Sequence, residues 1–142
     1  MPAVTHIYKC DVKSDRELPL FLSKVRACFP SPADEYLDKK LDLNEFLIKH
    51  PAATFLVKVK GDSMIKAGIC SGDILIVDRS LEPKDKRIVV AVINGEFTVK
   101  RVSKKRDKLY LVSENDAYAP IEIKEEMDFA IWGVVLHVIH SV

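Results

Sequence analysis

Cysteine is scarce in this 142-residue chain: Cys10, Cys28 and Cys70 are an odd number with neither close pairing nor zinc-like spacing. They read as reduced thiols of a cytoplasmic protein, with no metal and no cofactor expected. Long hydrophobic runs are missing too. No stretch approaches the roughly 18 continuous apolar residues of a membrane span. The first residues, interrupted by His6, Lys9, Cys10, Asp11, Lys13, Asp15 and Arg16, lack the apolar core of a signal peptide. Charge of either sign is nearly balanced at a formal +1, so bulk electrostatics favours neither nucleic-acid binding nor disorder. Repeats and low-complexity segments are absent. His50, His137 and His140 have no context tying them to a serine and read as satisfied or exposed structural residues, with His137 and His140 candidates to line a subunit interface.

What is present is a core. At 48% apolar residues, the chain is long enough to fold as one domain. Residues 1–28 have weak periodicity and read as an extended, mobile arm with Leu18, Leu20, Phe21, Leu22 and Val25 as apolar anchors. Ser31-Pro32 predicts the start of a helix running through Tyr36, Leu37 and Leu41, its apolar face continued by Leu43, Phe46 and Leu47 to Lys49. From Thr54 onward the pattern is that of strands: Phe55, Val57 and Val59 alternate with Leu56, Lys58 and Lys60, and 74–77 and 88–92 are dense apolar runs. Asn94-Gly95 is a hairpin signal joining 88–93 to 97–102. A second hairpin is expected between 99–102 and 109–112 around Lys104 to Lys108, and 131–139 reads as a closing strand. The expected fold is mainly β, with residues 29–142 as its β-rich domain.

One residue is out of place in this pattern. Lys100 ends the alternating run Glu96-Phe97-Thr98-Val99-Lys100-Arg101-Val102 where a strand points it inward. A lysine on a strand most often keeps its ammonium in water by snorkelling. Desolvated, it has a lowered pKa and accepts protons near neutrality. Upstream, Ser63 sits in Lys60-Gly61-Asp62-Ser63-Met64, a glycine-led approach that is most often only a turn. With a lysine as base such a serine becomes a nucleophile, and the N–H groups of Asp62 and Ser63 are then candidates to hold an oxyanion. Periodicity alone leaves both readings open.

Several further segments stand in a fixed order: Phe29-Pro30-Ser31-Pro32-Ala33-Asp34, Asp42-Leu43-Asn44, Gly61-Asp62-Ser63-Met64-Ile65, Gly72-Asp73-Ile74-Leu75-Ile76-Val77-Asp78 and Gly95-Glu96-Phe97-Thr98-Val99-Lys100-Arg101. Asn115-Asp116-Ala117-Tyr118-Ala119-Pro120-Ile121 and Trp132-Gly133-Val134-Val135 complete the set. In this order and spacing they resemble the UmuD-type proteins, accessory subunits of the error-prone DNA polymerase V, within the LexA-like family of self-cleaving serine peptidases. The resemblance implies a LexA-like peptidase fold of curved antiparallel strands and hairpins with a short N-terminal helix. It makes Ser63 the nucleophile and Lys100 the general base.

It also implies a substrate, the chain's own arm, cut at a small-residue pair just before Phe29. Here that pair is Ala27-Cys28, in which Cys28 replaces the usual glycine and restricts the backbone near the nucleophile. Implied partners are a second copy in a homodimer, the recombinase filament on single-stranded DNA as activator, and the catalytic subunit of a polymerase V-type enzyme. The expected role is self-cleavage in the DNA-damage (SOS) response followed by translesion synthesis. The alternative is a non-cleaving binding module of the same fold that regulates the polymerase. The 26 residues before Ala27 leave no room for a helix-turn-helix, so sequence-specific DNA binding is not expected. The basic cluster Arg101, Lys104, Lys105, Arg106 and Lys108 reads as a solvated hairpin tip, Asp73 and Asp78 as turn and edge residues, and Trp132 as a core or interface aromatic.

Overall fold

A computed structural model of the chain describes residues 3–11, 17–21 and 37–142, with side chains for 3–11 and 42–142. It divides into two compact units, Met1–Cys10 with His50–Val142, and Asp11–Lys49. The larger unit is one antiparallel sheet of eight strands. In chain order these are β1 (Val4–Lys9), β4 (Thr54–Val59), β5 (Ile74–Asp78), β6 (Ile88–Ile93), β7 (Glu96–Lys105), β8 (Lys108–Val112), β9 (Ile121–Glu122) and β10 (Phe129–Ile139). Across the sheet the order is β1-β4-β5-β10-β6-β7-β8-β9. The smaller unit pairs β2 (Glu17–Phe21) with β3 (Leu37–Asp42) and continues into the helix α1 (Leu43–Leu47).

The closing strand β10 organises the sheet. Its first half pairs with β6 and its second half with β5, with register shifts between Ile131 and Gly133 and between Val135 and His137. Such irregularities bend a strand and raise its local twist, which curves the sheet. Two groups of buried side chains result: one around Val57, Leu75, Val77, Val90 and Val99, the other around Val89, Val102, Leu111 and Val134. Gly133 is registered with Val90 of β6, one residue before the ladder with β5 begins at Val134. A Cβ there would stand 2.5 Å from Val77 Cγ1 and 3.3 Å from Arg79 Cγ. Gly133→Ala is therefore expected to destabilise the fold by about 1–3 kcal/mol, the usual range for overpacking a core, as a lower urea midpoint with an unchanged slope.

The hairpin at Asn94-Gly95 forms as its sequence requires, with φ of 48° and 81°, the left-handed pair of a type I′ turn. The next hairpin is tighter than expected. Lys104 and Lys105 remain in the ladder opposite Leu109 and Lys108, and only Arg106 and Asp107 turn, at φ of 47° and 65°. Trp132 packs edge-on against Phe55 and Phe97, with the Arg79 guanidinium 4.6 Å above its ring.

The expected helix from residue 31 to 49 is corrected. Residues 37–42 are strand β3, and helix covers only Leu43–Leu47; the start at Ser31-Pro32 lies outside the described residues. A spacing of four, as between Leu37 and Leu41, falls on one face of a strand as well as of a helix. Pairing with β2 decided between them. Asp42 fixes the boundary, because it holds extended angles (φ −82°, ψ 112°) while its Oδ1 accepts the N–H of Asn44 at 2.9 Å. An N-cap is non-helical, so the helix begins after it.

Candidate active site

Lys100 and Ser63, 37 positions apart, are brought together. Lys100 sits on β7, opposite Val89 of β6, and the residue is 8% exposed. Its Nζ donates to Ser63 Oγ at 3.3 Å. Burial pushes the ammonium below its ordinary 10.5, because the charged form loses hydration. Among the described residues no carboxylate forms an ion pair with Lys100, so no opposite charge offsets that loss. The amine thus loses its proton, and becomes able to act as a base, at lower pH than a free lysine.

Ser63 owes its position to a turn between β4 and the 3-10 turn Ile65–Ala67. Gly61 adopts φ 101°, a left-handed angle that side chains resist, and its N–H donates to Ser71 Oγ. The far side of the turn is braced by the segment after β8. Asn115 Nδ2 donates to Asp62 C=O at 2.9 Å, Tyr118 hydroxyl to Asp62 Oδ1 at 2.8 Å, and Lys66 pairs with Asp116. The N–H of Lys66 also donates to Glu114 C=O. This explains why Asn115-Asp116-Ala117-Tyr118 accompanies Gly61-Asp62-Ser63 in the sequence pattern: one holds the other. Among the described residues, no acceptor takes the N–H of Asp62 or of Ser63.

The pair faces a cleft of about 690 Å³ lined by Ala3, Asp62, Ser63, Thr98, Lys100 and Ser113 among others. Two of these carried no signal in the sequence. Ser113 Oγ is the buried side-chain oxygen without a partner among the described residues. It follows β8, where continuation of the Arg101–Val112 register sets it across from Lys100. Ala3 is over fifty residues from anything else in the cleft, and its C=O accepts the N–H of Lys60 at 2.7 Å. Ala27 and Cys28 lie outside the described residues.

The histidines do not line this cleft. His50 Nδ1–H donates to Asp78 Oδ2 and His140 Nδ1–H to Asp73 Oδ1, each at 2.6 Å. Asp73 lies in the turn before β5 and Asp78 ends that strand, and both carboxylates are buried. Burial alone would raise each carboxyl. The bonds outweigh it and hold both below the ordinary value: Cys70 N–H and His140 for Asp73, Ser80 and His50 for Asp78. Cys70, Asp73 and His140 also bring three potential metal-ligand atoms within 4.8 Å, a grouping that cysteine spacing did not reveal. Both Asp73 oxygens are already taken by Cys70 N–H and His140, which makes the group a hydrogen-bonded tie between β5 and the end of β10. The hairpin lysines Lys104, Lys105 and Lys108 and Arg106 are exposed, whereas Arg101 is held by Glu114 and by Lys86 C=O. Among the described residues no helix is long and apolar enough to cross a membrane.

A serine hydroxyl facing a buried lysine amine is the arrangement on which serine hydrolases without histidine are built. The sequence matches the Peptidase S24-like family over residues 19–136. It is 45% identical over 123 residues to Protein ImpA of Salmonella typhimurium, covering 86% of this chain and 83% of that protein. With Protein SamA of Salmonella typhimurium strain LT2 it shares 46% over 123 residues, 87% of this chain and 85% of SamA. LexA repressor 1 of Xanthomonas campestris is 42% identical over 113 residues, 80% of this chain but 56% of the repressor. The chain belongs to the Peptidase S24-like family, and so to the self-cleaving serine peptidases of the SOS response.

Proposed function

We propose that this protein is a serine endopeptidase acting on its own chain at Ala27-Cys28, with Ser63 as nucleophile and Lys100 as general base. The observation that carries this reading is the 3.3 Å approach of Lys100 Nζ to Ser63 Oγ, made by a lysine whose charged form burial disfavours. Neutral Lys100 takes the Ser63 proton as Oγ bonds to the carbonyl carbon of Ala27. The N–H groups of Asp62 and Ser63 receive the oxyanion. The Lys100 ammonium then gives its proton to the Cys28 nitrogen as that bond breaks, leaving Ala27 esterified to Ser63. Water, deprotonated by the same amine, hydrolyses the ester and restores the hydroxyl.

In this reading residues 1–28 are the arm that carries the cut and 29–142 the peptidase domain. The product is a cytoplasmic homodimer that joins the catalytic subunit of a translesion polymerase, and the recombinase filament on single-stranded DNA stimulates the cut. Family membership supports this role. Removing residues 1–27 takes away five Lys/Arg and three Asp/Glu, changing the net charge from +1 to −1, too little for an electrostatic switch. Incubation of the purified chain at alkaline pH is expected to yield a fragment with Cys28 at its N-terminus, read by intact mass. Indefinite integrity, with recombinase filament present, would identify a non-cleaving binding module instead.

A further inference from the structure

Strand β1 is held on the sheet by its main chain far more than by its side chains. Only Val4 is partly buried and packs on the core; the other five residues are exposed, Tyr8 by 50%. The main chain does the opposite. Cys10 N–H donates to Thr54 C=O at 3.1 Å and Lys60 N–H to Ala3 C=O at 2.7 Å, with Lys9, Tyr8, Ile7 and His6 registered against Phe55, Leu56, Val57 and Lys58. Antiparallel alternation then places the intervening hydrogen-bonded pairs at Tyr8 and His6. A register shift separates Val4 from His6. The strand beneath belongs to the core, with Val57 and Val59 buried. A segment that buries so little opens at low free energy, whereas the edge it covers is a row of N–H and C=O groups that seek a partner.

We propose that the outer edge of β4, Thr54–Val59, is a docking site for an extended strand of a partner protein, unmasked when the arm leaves. This rests on the self-cleavage reading, because a cut after Ala27 severs β1 from the sheet it completes. The chemistry of the incoming segment follows from what β1 supplies. It runs antiparallel to β4, is recognised chiefly through its backbone, and sets one small apolar residue on the core where Val4 packs. Lys58 and Lys60 are exposed along this edge, so an uncharged or acidic strand fits it. Before the cut, tethered β1 competes at an effective concentration in the millimolar range, which keeps partners off. Its departure also takes Ala3 from the wall of the cleft beside Ser63.

The test separates the docking edge from self-cleavage. A Ser63→Ala chain with a recognition sequence for an unrelated endopeptidase inserted after Ala27 is cut by the added enzyme, and the released arm is removed by gel filtration. A fluorescent peptide of residues 2–11 is the probe, titrated by anisotropy against cut and uncut protein. The cut form is expected to bind at least about tenfold more tightly, the tethered strand no longer competing. A peptide carrying His6→Pro and Tyr8→Pro, which lacks two ladder N–H groups, is expected to lose that binding. Equal titrations of the two forms, equal binding of the proline peptide, or retention of the released arm would overturn the proposal. So would hydrogen-exchange protection of β4 in a self-associated cut form, which would mark a second copy as occupant, or loss of the fold on cutting. Because the cut comes from outside, failure of the chain to cleave itself leaves these outcomes readable.

Discussion

Ser63→Ala is expected to abolish self-cleavage while leaving the fold intact. The substitution removes the oxygen that Lys100 Nζ approaches at 3.3 Å and nothing that the turn depends on. That turn is held by Gly61 through Ser71 and by Asp62 through Asn115 and Tyr118. Removing the nucleophile of a serine hydrolase lowers the rate by about 10³-fold or more. Intact mass against time at alkaline pH reads the loss, and an unchanged unfolding midpoint shows that the turn survives. A normal yield of fragment from this variant would remove Ser63 from the mechanism.

Lys100→Met is expected to lose cleavage to a similar extent, for a different reason. The methionine preserves bulk in a site that is 8% exposed and takes away the base. In the parent chain the rate should climb as pH rises from neutrality, since the neutral fraction of Lys100 grows, and level off below the ordinary lysine value of 10.5 because burial depresses the pKa. The same shift acts on stability. Between the depressed folded pKa and the ordinary unfolded one, the unfolded chain binds more protons, so the parent gains stability as pH rises through that window and is weakest below it. Lys100→Met lacks this dependence and should be the more stable of the two at neutral pH. Single-turnover rates and urea midpoints across the same pH series check both halves. A flat rate profile in the parent would mean that presentation of the arm, and not proton transfer, limits cleavage.

The cleft joins elements with different chain histories. The base comes from a hairpin, β6 and β7, whose two strands are neighbours in sequence. The hydroxyl is placed by a turn that relies on Asn115 and Tyr118, more than fifty residues downstream. The wall beside it includes Ala3, the residue just before β1. Substitutions at Asn115 or Tyr118 would thus act on Ser63 without touching it.

The sequence by itself determined the features that depend on adjacent residues. Asn94-Gly95 tolerates the left-handed angles that a two-residue hairpin needs, the short runs at 74–77 and 88–92 are apolar and mostly β-branched as buried strands are, and alternation along 96–102 turned Lys100 inward. Its motifs were also enough to show kinship with self-cleaving peptidases. Tertiary structure alone decided the rest. Residues 37–42 became strand because β2 supplied a ladder that periodicity cannot foresee, and Asp73 and Asp78 became buried carboxylates because His140 and His50 arrived to bond them. Ser113 entered the cleft only through the β7–β8 register. Above all, the depressed pKa of Lys100 is a property of its surroundings. Turn and strand preferences reside in a few consecutive residues, whereas desolvation and strand pairing arise from atoms that distant parts of the chain bring into contact.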